Sequence, residues 1–216
     1  MRKESVRNSG VMKWARVAVM VAVAVCATSA YSASKAVLVL GDSLSAEYGL
    51  VRGEGWVALL EQRLKESGID ATLVNASISG ETTSGGKSRL PALLTKNQPA
   101  VVVVELGAND GLRGLALTDT QKNLRDIINA AKKSHARVVL VGMQLPPNYG
   151  TDYTKRFAAI FPTLAKETKS SLVPFMLDGV VTQPQLFQAD RIHPTAQAHP
   201  IILDNIWPQL KPLLSK

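Results

Sequence analysis

Five short apolar runs recur along the chain, at residues 36–41, 71–75, 101–106, 137–142 and 172–176. They are rich in Val and Leu and lack the strict alternation of a half-exposed strand, so they read as strands buried on both faces. Between them the apolar spacing changes to that of a helix. Residues 54–67 place Trp56, Leu59, Leu60 and Leu64 on one face, and Gly68 follows as a stop. Residues 118–134 gather Leu124, Ile127, Ile128 and Ala131, and residues 151–169 gather Phe157, Ile160 and Leu164. The stretch 82–95 is a weaker helix, diluted by Gly85, Gly86 and Pro91, and a last helix covers 198–213. Strands alternating with helices predict a three-layer α/β fold of flavodoxin-like strand order, a parallel five-stranded sheet with helices on both faces. Pro174 in the fifth run assigns that strand to an edge. No repeat, linker or low-complexity tract divides residues 34–216, which are expected to form a single domain.

The first 33 residues follow another pattern. Arg2, Lys3, Arg7, Lys13 and Arg16 stand against one acid, Glu4, and residues 17–27 are an unbroken apolar run ending in small residues. This is the layout of a secretory signal peptide, with cleavage expected after Ala30 or Ser32, whether translation starts at Met1 or Met12. The apolar run is shorter than the ~20 residues a spanning helix needs, so stable membrane insertion after processing is not expected. The only cysteine, Cys26, lies in this segment, so the exported chain forms no disulfide. The formal charge of +8 falls to +4 once residues 1–33 are removed. No basic run is interleaved with aromatic residues, which argues against a nucleic-acid partner. A monomeric protein outside the cytoplasm, periplasmic or secreted, is the expectation.

Candidate chemistry clusters where each strand ends, the place where open α/β sheets bind ligands. Ser43 follows the first run directly and has the position of a nucleophile, although a serine there also suits a helix cap. Gly80 follows the second run and lets a backbone N–H approach a ligand. Asn109 follows the third and offers a side-chain amide donor. Asp190 and His193 follow the fifth, and Pro194 keeps His193 out of a helix. Of the other histidines, His135 reads as solvated and His199 as a surface or capping residue. Each feature alone is ordinary, but together they have the logic of a Ser–His–Asp triad, whose members are recognised by role and not by order along the chain. No cluster has metal-ligand spacing, and neither a metal nor a cofactor is expected. Leu112, Leu115, Leu145, Pro146, Pro147 and Ile192 lie near the same edge and are expected to line an apolar groove. A non-catalytic flavodoxin-like binding module is the alternative from outside enzymes, although it lacks a phosphate-loop pattern and leaves Asp190 and His193 unused.

The blocks GDSLS at 41–45, NASISGET at 75–82, GANDG at 107–111 and DRIHP at 190–194 resemble the four sequence blocks of the SGNH (GDSL) hydrolases. The resemblance extends over about residues 36–213. It implies a serine hydrolase of carboxylic esters and thioesters, among them acyl-CoA thioesters, aryl esters and lysophospholipids, with a small-molecule acyl ester or thioester as its partner. A carbohydrate acetylesterase using the same triad is the alternative. The resemblance makes Ser43 the nucleophile, His193 the base and Asp190 its orienting acid, with Ser43 N–H, Gly80 N–H and the Asn109 amide as the oxyanion hole. Glu47 and Arg191 stand where the family pattern has glycine, and Thr195 where it has Asn. These departures bear on the rim of the pocket.

Overall fold

The computed structural model describes Met1 and residues 35–214. The proposed leader, residues 1–33 with Cys26, lies outside the described residues apart from Met1. Five strands, β1 (Lys35–Gly41), β2 (Ala71–Asn75), β3 (Val101–Glu105), β4 (Arg137–Val141) and β5 (Ser171–Val173), form one parallel sheet in the order β2-β1-β3-β4-β5. The six α-helices are α1 (Trp56–Glu66), α2 (Thr83–Asn97), α3 (Ala108–Leu112), α4 (Leu117–Lys133), α5 (Thr151–Thr168) and α6 (His199–Leu214). Helices α1 and α6 pack together, and α2, α4 and α5 pack as a row.

The apolar runs sit where this order requires them. Val37–Leu40 of β1 and Val101–Val104 of β3 are wholly buried, and so, almost wholly, are Val138–Val141 of β4. Residues of the outer strands β2 and β5 are largely half-buried. Burying each such Val or Leu contributes roughly 1.5–3 kcal/mol, so the central strands anchor the sheet. The fifth strand is an edge, as Pro174 implied, but it is shorter than the run 172–176. Its pairing stops at Val173, and Met176 N–H turns back to donate to Gly142 O at 3.0 Å. Pro174 has no N–H with which to extend the ladder.

Two local departures matter for the site. The apolar spacing predicts no helix directly after β3, yet residues Ala108–Leu112 form the one-turn helix α3. A helix this short shows no period in sequence, and Gly107 enters it at φ 115, a left-handed backbone that disfavours any side chain. His199 reads as a surface or capping residue, and only the capping half holds. It is 2% exposed, because α6 packs on α1 and turns it inward. Its Nδ1 accepts from Trp56 N–H at 2.9 Å. That N–H belongs to the first turn of α1, where Gly55 offers no side-chain cap, so His199 caps the helix from a distant segment.

Burial pulls the imidazole of His199 down to about 4, against an opposing push from Glu47. The folded protein therefore binds fewer protons here than the unfolded chain between about pH 4 and pH 6.5. The stability this neutral ring contributes is full above the unfolded value and is lost as pH falls through the window. His199→Asn keeps an acceptor near Nδ1 but cannot titrate. The fall in Tm between pH 6.5 and 4.5 is expected to be shallower in this variant, by differential scanning calorimetry. Raised carboxyls elsewhere act in the opposite sense, but they are present in both proteins and cancel in the comparison. Parallel pH profiles would show that His199 titrates normally.

Candidate active site

The turn after β1 carries Ser43, and three neighbouring elements hold that turn. Asp42 Oδ1 accepts from Leu44 N–H at 3.0 Å, an Asx turn that aims the chain away from the strand. Ser45 Oγ donates to Glu105 Oε2 at 2.7 Å and accepts from Trp56 Nε1 at 3.1 Å. Asn75 Nδ2 donates to Ser45 O at 2.8 Å. The ends of β2 and β3 and the start of α1 thus fix the turn from below. Gly41 is needed for this, since a Cβ there would lie 2.8 Å from both Glu105 Oε2 and Ser45 Oγ.

On the opposite side, the long connection after β5 delivers Asp190 and His193. His193 Nε2 stands 2.9 Å from Ser43 Oγ, and its Nδ1 stands 2.6 Å from Asp190 Oδ2. The other carboxylate oxygen, Oδ1, accepts from the backbone N–H groups of Ile192 at 2.9 Å and His193 at 3.0 Å. Burial pushes the Asp190 carboxyl up, but these two N–H bonds and the imidazole outweigh it and bring it down to about 2. Asp190 is therefore ionised at any pH near neutrality. The loop is strapped in place by Gln188, whose N–H donates to His193 O at 2.8 Å and whose Nε2 donates to Pro194 O and Tyr48 O, each at 2.9 Å. The Tyr48 ring lies against the imidazole with centroids 4.3 Å apart.

Asn109 lies in α3 with its Nδ2 donating to Asp42 Oδ2 at 3.1 Å. Asp110 next to it is buried and accepts from Thr83 N–H at 2.9 Å and from the Thr83 hydroxyl, which ties α3 to the start of α2. Gly80 has φ 78, and its carbonyl accepts from Arg113 Nη2 at 2.8 Å, linking the loop after β2 to the end of α3. Under the site, Asp42 and Glu105 are both buried. Burial raises Asp42 to about 6, partly offset by Leu44 N–H, His193 and Asn109. Burial, followed by the charge of Asp42, drives Glu105 well above the usual carboxylate range. Two carboxyls crowded in one dry spot do not both ionise readily.

Ser43, Asn109 and His193 all line one cavity of about 1160 Å³. Leu112, Leu145, Pro146, Pro147 and Ile192 line it as well, together with Met143, Phe175, Leu177 and Phe187, which the sequence did not point to. Leu115 is not in the wall. It is 43% exposed beyond the end of α3. Gly80 is not in the wall either. Glu47 and Arg191 both have left-handed backbone, φ 59 and 57, the conformation that a glycine adopts without cost. Glu47 is not in the cavity wall, and its Oε1 accepts from Gly53 and Gly55 N–H at 3.0 and 2.9 Å. Among the described residues no group of three or more His, Cys, Asp or Glu side chains could hold a metal ion, and no helix is long and apolar enough to cross a membrane.

A serine hydroxyl bonded to an imidazole, itself bonded to an ionised carboxylate, can pass a proton off the oxygen as it attacks a carbonyl. Residues 39–201 match the model of the GDSL-like lipase/acylhydrolase family. The chain belongs to this family. It is 51% identical to the esterase TesA of Pseudomonas aeruginosa over 183 residues, 85% of this chain and 91% of that one. It is 45% identical to the Escherichia coli protein named thioesterase 1/protease 1/lysophospholipase L1, covering 85% of this chain and 87% of the relative. A crystal structure of TesA superposes with a TM-score of 0.82 at 51% identity, over 83% of this chain and all 100% of that one. The five-stranded sheet of this acylhydrolase matches that structure, and the chain is a hydrolase of ester and thioester bonds.

Sequence reasoning missed the supports more than the reactive groups. Glu105 looks like the last residue of a buried strand, and Asp110 like half of an Asx turn. Their burial depends on segments far away in sequence. Gln188 carries no motif at all.

Proposed function

We propose that Ser43 is the nucleophile, His193 the general base and Asp190 its orienting carboxylate, in an acylhydrolase acting on esters and thioesters of acyl chains. The observation that carries this is the continuous path Ser43 Oγ–His193 Nε2, His193 Nδ1–Asp190 Oδ2, of 2.9 and 2.6 Å, opening into an apolar-walled cavity. In the first half-reaction His193 takes the hydroxyl proton as Ser43 Oγ bonds to the acyl carbon. The negative oxygen that develops is stabilised by Ser43 N–H, Gly80 N–H and Asn109 Nδ2, the last aimed by Asp42. The imidazolium then gives its proton to the departing alcohol or thiol. In the second half-reaction His193 activates a water that attacks the acyl-enzyme, and Ser43 recovers its proton.

The cavity wall supports acyl chains longer than acetyl. Leu112, Met143, Leu145 and Phe187 contribute apolar surface that a short acyl group would leave in contact with water. Acyl-CoA thioesters, aryl esters and lysophospholipids are the substrate classes this favours. Residues 1–33 are read as a signal peptide and the remainder as one monomeric periplasmic or secreted domain, on the basic, apolar and small-residue order of that segment. A panel of p-nitrophenyl esters and acyl-CoAs of graded length is the test. Activity that is maintained or rises from acetyl to longer chains is expected. Activity confined to acetylated sugars would replace this reading with a carbohydrate acetylesterase.

A further inference from the structure

Apart from Met1, every large hydrophobic side chain exposed among the described residues lies on one edge of the sheet. Tyr48 and Val51 follow β1, Ile78 follows β2, Leu115 follows β3, Tyr149 follows β4, and Val181 and Ile192 follow β5. Their exposures run from 36% to 70%. The opposite edge is built of turns such as Ser67-Gly68, Asn97-Gln98, Ser134-His135 and Lys169-Ser170, and exposes none. Scattered apolar residues on a surface need no explanation, but segregation to one edge does.

Four of these side chains stand at the cavity. Val181 and Ile192 line it. Tyr48 lies on His193, and the Tyr149 hydroxyl donates to the carbonyl of cavity-lining Leu112 at 3.0 Å. Three exposed arginines are interleaved with them: Arg52 after Val51, Arg113 after Leu112, and Arg191 before Ile192. Neither Arg52 nor Arg191 has an ion-pair partner among the described residues, and Arg113 meets only the Gly80 carbonyl. The neighbouring acids are engaged. Glu47 and Glu54 accept backbone N–H groups, Asp178 accepts from Gly179 N–H, Asp190 holds His193, and Asp152 pairs with Arg156.

We propose that this edge docks on a phospholipid surface. The apolar loop tips enter the boundary between headgroups and acyl chains, and Arg52, Arg113 and Arg191 meet phosphates. The charge fits, because a guanidinium makes paired hydrogen bonds to phosphate and its neighbours leave it free to do so. The geometry fits as well. A single-chain lipid leaving the surface meets the apolar cavity and Ser43 without crossing bulk water. The contact is shallow and reversible, since loop tips rather than a helix are inserted. This rests on the acylhydrolase reading of the same cavity.

The test compares the protein, as the cell processes it, with a Val51→Ser/Arg52→Gln/Ile78→Ser variant in the same form. None of these three residues lines the cavity or touches the triad. Sedimentation with vesicles of phosphatidylcholine and phosphatidylglycerol should capture the parent protein. The variant should bind at least ~10-fold more weakly, from lost apolar insertion and lost charge. Its kcat/KM on a water-soluble short-chain p-nitrophenyl ester should equal the parent's, while its rate on micellar lysophosphatidylcholine falls along with binding. Equal vesicle binding by both proteins, or none by the parent, would overturn the proposal. A parent dimer that becomes monomeric in the variant, without vesicle binding, would show that the edge is a self-association surface instead. If neither protein hydrolyses the soluble ester, the acylhydrolase reading fails, and vesicle binding still answers the docking question on its own.

Discussion

Ser43→Ala is expected to lose ~10⁶-fold in kcat while the fold and thermal midpoint stay close to those of the parent protein. The substitution removes one oxygen, and that oxygen is 2.9 Å from His193 Nε2. No other part of the turn depends on it. The turn is held by Asp42, Ser45 and Asn75, and the Ser43 backbone carbonyl still accepts from Tyr48 N–H. Ser43 is also only half-buried, so the lost hydroxyl leaves no costly cavity. Activity on a p-nitrophenyl ester, followed beside a thermal melt, checks both halves of the expectation. Retention of more than a tenth of parent activity would remove Ser43 from the mechanism.

Asp190→Asn is expected to cut kcat by up to ~10⁴-fold without unfolding the loop. The two carboxylate oxygens do separate jobs. Oδ1 accepts from Ile192 and His193 N–H, and an asparagine oxygen can take over that role. Oδ2 accepts from His193 Nδ1, where asparagine presents an amide N–H donor instead. The imidazole must then carry its proton on Nε2, the nitrogen facing Ser43, and can no longer accept the hydroxyl proton. The developing imidazolium also loses its counter-charge. No other group among the described residues bonds Nδ1, so nothing restores the tautomer. Steady-state kcat and KM on the same ester, with a melt to confirm folding, test this. A loss of only ~10-fold would leave Ser43 and His193 as a working pair and demote Asp190 to a loop anchor.

Much of this arrangement is legible in the chain itself. Strands that run apolar without alternation require cover on both faces, and Pro174 cannot sit in a central strand. From these the two-sided cover of the sheet and its β5 edge follow, while the full order is one choice among the few that right-handed crossovers allow. Ser43 and Asn109 are legible because each sits just past the end of a strand, and His193 because it alone among three histidines has a carboxylate three residues away. The supports are not. Asp42 reads as a turn residue, and it is one through Oδ1, but Oδ2 also aims Asn109 across 67 positions of sequence. Glu105 and Ser45 meet only because β1 and β3 are neighbours. His199 passes for a surface residue until α6 packs against α1 and buries it. Leu115 has the composition of a pocket residue, yet it stands past the end of α3, in the exposed rim. Such placements depend on packing angles and on partners far along the chain, which no local pattern encodes.

The central claim is that one hydroxyl, on Ser43, is activated by His193. Titration with a fluorophosphonate, followed by peptide mapping of the adduct, tests it most directly. One adduct per chain on Ser43, formed in step with the loss of ester hydrolysis and absent after His193→Ala, is the predicted result. Full labelling at another residue, or complete labelling of Ser43 with hydrolysis intact, would contradict it.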